Sequence, residues 1–249
     1  VPTLFISIAC GAISGFHATQ SPLMSRCMNN EREARTIFFG AMISESVVAL
    51  IWAAIAMAFF GGVEQLNDFM AANNSNAGVA VSLISDTTLG AIGGILAILG
   101  VVVAPITSGD TAFRSARLII ADMLHYDQKP KYKRLIVSMP LFAIGIGIAF
   151  VDFDIIWRYF AWSNQALSAI TLWMITAWLM RRGSRWSIIA LLPAIFMTYV
   201  CSSFVFVSSQ FVGMGATPEA YIYGGAVTAV IAGLLMTNIR KDVKRGAEI

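Results

Sequence analysis

The chain has 249 residues, of which 57% are apolar and only 12% are charged. Soluble domains carry about a quarter of charged residues, so this composition excludes a disordered chain and an ordinary cytosolic globule. The three cysteines, Cys10, Cys27 and Cys201, are scattered and odd in number, which excludes a disulfide scaffold and a cysteine metal site. The composition predicts an all-α, polytopic transmembrane helical bundle.

Seven apolar runs are predicted to form transmembrane helices, since a span needs about 20 apolar residues to cross the hydrocarbon core. The first run is already under way at Val1, and we expect the chain to be the C-terminal piece of a longer protein. The whole of 1–249 is expected to be a single transmembrane domain. The predicted spans are residues 1–17, 37–60, 89–106, 135–151, 159–180, 186–207 and 221–238.

The distribution of positive charge predicts the orientation. Sixteen of the 17 lysine and arginine residues lie in segments that these seven spans place on one side of the membrane. The other side has only Arg158, together with several acidic residues. Because basic residues accumulate on the cytoplasmic side, the C-terminus is predicted to be cytoplasmic. The basic residues are interpreted as membrane anchors rather than as a nucleic-acid patch.

The first run is predicted to be a broken helix. Gly11, Gly15 and Pro22 weaken it, and a polar stretch that includes His17, Thr19 and Gln20 lies among them. A helix that loses hydrogen bonds at membrane depth is tolerated only where protein or a water-filled cavity covers it. These side chains could therefore line a substrate path. The alternative is a span that ends there and enters a cytoplasmic loop.

A second departure from plain helix is predicted at residues 105–111, which end the third run. An amphipathic interfacial helix is expected over 110–125, with Ser108 or Asp110 as its N-cap. The oxygens of Thr107, Ser108 and Asp110 could also bind a hard cation such as sodium, as helix ends do in transporters. A capping motif is the default interpretation of these residues.

Two further spans carry polar groups. Glu45 is the only acid inside an apolar run, and an intramembrane carboxylate usually faces a cavity or a partner. The alternative is a residue near the cytoplasmic end that reaches water. Asn164 and Gln165 lie inside the fifth run and could form interhelical hydrogen bonds or contact substrate, with packing favoured. His17 can titrate near neutral pH, so a proton-linked role is chemically available.

Enzyme signatures are absent from the sequence. The two histidines, His17 and His125, lie on different segments, and no zinc-protease, nucleophile-elbow or phosphate-loop motif occurs. No catalytic residue, cofactor or metal is therefore expected. The alternatives from other classes are a membrane-embedded enzyme or cofactor-bearing subunit, which an absorbance band would reveal, and a non-transporting starvation sensor, which would bind ligand without flux.

Three motifs carry a family resemblance. They are CGAISGFHATQSP, PITSGDTAFRSARLIIAD and WRYFAWSNQALSAITLWM, and in this order they resemble the carbon starvation protein A (CstA) family of bacterial inner-membrane transporters. The resemblance runs from Cys10 to about Arg182. It implies a proton-linked symporter for uptake of peptides or pyruvate in the response to carbon starvation, located in the bacterial inner membrane.

The resemblance also implies a fold and a set of residue roles. The family is similar to the amino acid–polyamine–organocation superfamily, with a LeuT-like core of two inverted five-helix repeats. The seven runs would then be helices six to twelve, holding at most half of a substrate site. Glu45 or His17 would carry the coupling proton, and Thr107, Ser108 and Asp110 are the candidate cation site. The residues expected to contact substrate are Gly15, Phe16, His17, Thr19, Gln20, Asn164 and Gln165.

Overall fold

The computed structural model describes residues 2–8, 15–73, 76–151 and 153–246, and this part of the chain is helical with no strand. A short 3-10 turn and a π-helical turn, Glu31–Glu33 and Arg35–Phe39, lead into the third helix. The helices are α1 Pro2–Ser7, α2 Gly15–Ser25, α3 Gly40–Phe60, α4 Val63–Ala72, α5 Ala77–Met123, α6 Lys131–Ile148, α7 Phe153–Arg181, α8 Ser187–Val207 and α9 Pro218–Gly246.

Four helical segments are long and apolar enough to cross a membrane: Glu31–Phe60, Ala77–Met123, Ser187–Val207 and Pro218–Val243. They contain the predicted runs 37–60, 89–106 and 221–238, and all but the first residue of 186–207. The prediction of a helical membrane protein is thereby confirmed at this level. The runs 135–151 and 159–180 overlap α6 and α7, and their assignment as spans stays a prediction.

The chain divides into two compact units. The first comprises residues 1–22 and 151–249, which contain α1, most of α2, and α7 to α9. Its core is built where small side chains lie beside larger ones: Ala161 and Ala169 beside Met197 and Phe204, and Ala194 beside Trp173. Small residues let membrane helices approach closely, which increases their van der Waals contact.

Polar side chains also join the helices of this unit. The Trp173 indole N–H donates to the Thr198 hydroxyl at 3.0 Å, linking α7 to α8 in the buried interior. At the far end of α7, the Arg181 guanidinium pairs with the Asp242 carboxylate of α9 at 2.8 Å. Burial shields the interior bond from solvent and strengthens it, whereas the exposed ion pair contributes little.

The second unit spans residues 23–150 and contains α3 to α6. Its α5 is 47 residues long and turns sharply at Gly90, where φ is 68° and ψ is −174°. Only glycine adopts this backbone conformation readily. The helix changes direction at Gly90 rather than at the predicted point near Pro105.

The predicted helix end at residues 105–111 is wrong, because α5 continues through these residues to Met123. A proline removes one backbone donor, and membrane helices tolerate this loss where neighbours or local adjustments compensate. The Thr111 hydroxyl donates to the Thr107 carbonyl at 2.9 Å, a bond within the helix. Residues 110–123 are therefore the last part of α5, not a separate helix over 110–125, and neither Ser108 nor Asp110 is an N-cap.

The contact between α8 and α9 yields a stability prediction. A Cβ atom added at Gly224 would lie 2.6 Å from Ser203 Cα and 2.8 Å from Ser203 N, both backbone atoms that cannot move aside. We expect Gly224→Val to cost about 1–3 kcal/mol through overpacking, which lowers the melting temperature of the detergent-solubilised protein by roughly 3–10 °C. Gly233→Val on the same helix is the control, since a Cβ there meets nothing within 4 Å. Equal shifts for the two variants would contradict this packing.

Candidate functional site

Two short helices, α1 and α2, meet α7 at adjacent residues of its buried face. The predicted break around Gly11 lies outside the described residues, but α1 ends at Ser7 and α2 begins at Gly15. The ends of helices leave backbone N–H and C=O groups without intrahelical partners. Asn164 and Gln165 supply partners to both ends.

Asn164 holds the start of α2. The Phe16 backbone N–H donates to Asn164 Oδ1 at 2.7 Å, across 148 residues of sequence. Phe16 is the second residue of α2, so its N–H is one of those that the helix itself cannot satisfy. Asn164 is only 6% exposed, so few waters could replace it. The amide therefore acts as an N-cap supplied by another helix.

Gln165 holds the end of α1. Its Nε2 donates to the Phe5 backbone carbonyl at 2.9 Å, and Phe5 lies in the last turn of α1. Gln165 is 1% exposed. The Phe5 carbonyl can only accept, so it fixes the Gln165 amide with the nitrogen toward α1 and the oxygen toward Ser168. The Ser168 hydroxyl lies 2.7 Å from the Gln165 carbonyl and 3.0 Å from Oε1.

Gly15 allows α2 to approach α7 closely. A Cβ atom at this position would clash with the Asn164 carbonyl oxygen and lie 2.7 Å from Leu167 Cβ. Any other residue would push α2 away from α7 and lengthen the bond between Phe16 and Asn164. The glycine that sequence analysis took as a helix weakener is therefore a contact residue.

The other predicted substrate residues lie along α2 and are half-buried. The Thr19 hydroxyl donates to the Phe16 carbonyl at 2.7 Å, and Gln20 Nε2 donates to the Thr19 hydroxyl at 3.2 Å. The His17 carbonyl accepts from the Ser21 hydroxyl at 2.7 Å. The structure brings Gly15, Phe16, Asn164 and Gln165 together, while substrate contact by any of the seven residues stays a prediction.

The remaining predicted residues belong to the second unit. Glu45 is exposed on α3, about one turn into that helix. Thr107, Ser108 and Asp110 are exposed on α5, and Asp110 pairs with Arg114 at 2.9 Å. The helix end that supported the cation-site prediction is absent, and the site stays a prediction. Within the described ranges no group of three or more His, Cys, Asp or Glu side chains could hold a metal ion.

A cavity of about 400 Å³ lies in the first unit, next to the hydrogen bonds that join α1 and α2 to α7. Ile6 of α1 and Ala161 of α7 are part of its wall, one residue from Phe5 and one turn before Gln165. Its polar lining includes Arg158 and the segment that follows α8, where the Ser208 hydroxyl donates to Gln210 Oε1 at 2.7 Å. The lining residues are Ile6, Trp157, Arg158, Ala161, Phe204, Val207, Ser208, Ser209 and Gln210.

Sequence analysis missed Arg158, Ser168 and Phe5 as parts of this site. Arg158 had a signal, because it is the one basic residue on the predicted outer side. Ser168 also had one, because it follows Asn164 by four residues and so shares its helix face. No sequence signal points to the Phe5 carbonyl, because every residue has a backbone carbonyl.

The chain matches one family in two segments. The sequence profile of the family described as "Carbon starvation protein CstA" matches residues 1–90 and 71–203. The two segments overlap at residues 71–90. No solved structure matches the chain significantly.

Three relatives illustrate the range of similarity. An uncharacterized protein of Haemophilus influenzae is 51% identical over 115 residues, covering 46% of this chain and 82% of that protein. The Peptide transporter CstA of Helicobacter pylori is 27% identical over 261 residues, covering 78% of this chain and 37% of the transporter. The Pyruvate/proton symporter BtsT of Escherichia coli is 40% identical over 83 residues, covering 33% of this chain and 11% of the symporter.

These alignments bear on the length of the chain and on its family. The chain spans only about a third of the length of the peptide transporter that it matches most broadly among these three. That alignment has 261 positions, more than the 249 residues of the chain, so the transporter carries residues with no counterpart here. The family profile nevertheless covers well over half of the chain. The chain belongs to the carbon starvation protein CstA family.

Proposed function

We propose that the chain forms part of a proton-coupled secondary transporter for the uptake of small nutrients that carry a carboxylate, namely peptides or pyruvate. The observation that carries this proposal is the pair of helix ends on α1 and α2, held at adjacent residues of α7 by Asn164 and Gln165. Relatives named as a peptide transporter and a pyruvate/proton symporter support it. The setting is the bacterial inner membrane, with the C-terminus in the cytoplasm.

The chemistry of helix ends suits this task. The N-terminus of α2 carries partial positive charge and the C-terminus of α1 carries partial negative charge. Discontinuous helices in secondary transporters direct such ends at substrate carboxylates and coupling ions. We place the substrate beside Gly15–Gln20, within an arrangement related to the LeuT-like inverted repeat, in which this chain supplies the second repeat.

The cavity that contains Arg158 suits recognition of a carboxylate. A guanidinium group offers paired N–H donors that match the two oxygens of a carboxylate. Pyruvate and peptides both carry this group. Arg158 shares the cavity with Ser208, Ser209 and Gln210, whose polar groups can bind the rest of a small polar ligand.

Proton coupling is assigned to Glu45 or His17. Carboxylate and imidazole side chains form the proton relays of pumps and transporters. Thr107, Ser108 and Asp110 are retained as the candidate site for the alternative coupling ion, sodium.

Uptake of labelled pyruvate tests the function directly. Cells that lack their own pyruvate carriers and make the complete transporter, of which this chain is proposed to be the second repeat, should accumulate the label, and a proton uncoupler should abolish the accumulation. Labelled di- and tripeptides form the second arm, because a carboxylate is common to both classes. Ligand binding without uptake in either arm would contradict the proposal and favour the sensor.

The same cells test the assignment of Glu45. Glu45→Gln cannot release a proton, so it should abolish accumulation against a gradient while sparing exchange of labelled for unlabelled substrate. Glu64→Gln on α4 removes an equal charge from the same unit and is the matched control. Normal accumulation by Glu45→Gln would contradict this assignment and leave His17 as the candidate carrier of the coupling proton.

Substitution of Arg158 tests the carboxylate-binding role. Charged hydrogen bonds contribute about 1.5–3 kcal/mol, so Arg158→Gln should raise the KM for uptake about tenfold or more. Arg158→Lys retains the charge and should recover part of the loss. Arg182→Gln is the control, because Arg182 stacks on Trp178 with 4.2 Å between the guanidinium carbon and the ring centroid, away from the cavity. An unchanged KM in Arg158→Gln would remove Arg158 from the substrate path.

A further inference from the structure

A second cavity, of about 390 Å³, lies in the second unit between α5 and α6. It is distinct in composition from the cavity of the first unit, because it has three arginines. Arg114 and Arg117 come from the last turns of α5, and Arg134 comes from the first turn of α6. The lining residues are Asp110, Phe113, Arg114, Arg117, Arg134, Ser138, Leu141 and Phe142.

The charges in this cavity are not balanced. Asp110 is the one carboxylate in the lining, and it pairs with Arg114 at 2.9 Å. Arg134 uses its Nε to donate to the Gln128 carbonyl at 2.6 Å, which fixes the side chain without neutralising it. Two of the three positive charges therefore have no anionic partner in the lining.

Arg117 is a second observation that favours an anion in this cavity. Its Nε atom is buried and has no hydrogen-bond partner among the residues that the structure describes. A buried donor that stays unpaired costs free energy, more so when the group is charged. An anion in the cavity would offset the positive charge of this guanidinium.

Part of the lining is apolar. The rings of Phe113 and Phe142 lie with their centroids 4.7 Å apart and their planes tilted by 36°, and Leu141 is a further apolar residue of the lining. Gly145 lets Phe113 approach α6, since a Cβ there would lie 2.8 Å from Phe113 Cζ. The cavity thus offers guanidinium groups and an apolar surface within one space.

We propose that this cavity binds the phosphate group of an anionic phospholipid. Arginine forms paired hydrogen bonds with phosphate oxygens, and basic pockets between membrane helices on the cytoplasmic side bind lipid headgroups. The charge distribution in the sequence predicts that this end of α5 is cytoplasmic. The aromatic wall favours a lipid over free phosphate, because the acyl region of a lipid contacts apolar side chains beside its headgroup. The site does not depend on the transport proposal.

Lipid retention by the purified full chain tests the site. The protein is exchanged into a neutral detergent with phosphatidylglycerol or phosphatidylcholine as probe, and bound lipid is counted by native mass spectrometry. We expect preferential retention of phosphatidylglycerol, weakened about tenfold or more in the double variant Arg117→Gln, Arg134→Gln. The double variant Arg26→Gln, Arg32→Gln loses the same charge from exposed positions of the same unit and should retain the lipid.

Further measurements distinguish lipid binding from the binding of free phosphate and from misfolding of the variants. Inorganic phosphate at millimolar concentration should not displace the lipid, and displacement would overturn the lipid assignment. Arg117→Lys keeps the charge without the paired donors and should give intermediate retention. Equal retention by both double variants, or equal binding of phosphatidylglycerol and phosphatidylcholine, would overturn the site.

Discussion

Every backbone N–H and C=O group of this apolar chain must find a partner, because lipid supplies none. Continuous helices satisfy that requirement internally, but a helix end does not. The chain ends two helices, α1 and α2, at adjacent residues of α7, and it satisfies both with side-chain amides. An amide serves both ends because it carries a donor and an acceptor. The site depends on these two hydrogen bonds between α7 and the short helices.

These hydrogen bonds also explain why small residues surround Asn164 and Gln165. The bond from Phe16 to Asn164 is 2.7 Å long only because Gly15 lets α2 lie against the backbone of α7. The Phe5 carbonyl then orients the nitrogen of the Gln165 amide toward α1. A site of this kind combines precise geometry with partial helix charges, and it leaves the adjacent cavity, with Arg158 in its wall, open to a ligand. Secondary transporters use the ends of discontinuous helices at their substrate and ion sites.

Sequence reasoning recovered four apolar helices and the family, because apolar runs and the order of motifs can be read directly from the residues. It also selected Asn164 and Gln165, since buried amides in an apolar run must have partners. It misplaced the end of α5, because Pro105 suggested a helix end, whereas the backbone changes direction at Gly90. Proline and glycine each weaken a helix, and only tertiary context decides which one turns the chain. It could not find the Phe5 carbonyl, because pairing across 160 residues depends on packing.

The central claim is that Asn164 holds the start of α2, and hydrogen–deuterium exchange of the peptide covering residues 15–25 tests it most directly. Loss of an N-cap costs about 1 kcal/mol, so Asn164→Leu should speed exchange at the start of α2 about fivefold. Asn164→Asp keeps an acceptor oxygen and should exchange close to the native rate. Thr171→Val is the control, since the Thr171 hydroxyl bonds only to the Leu167 carbonyl of its own helix. Unchanged exchange in Asn164→Leu would contradict the account.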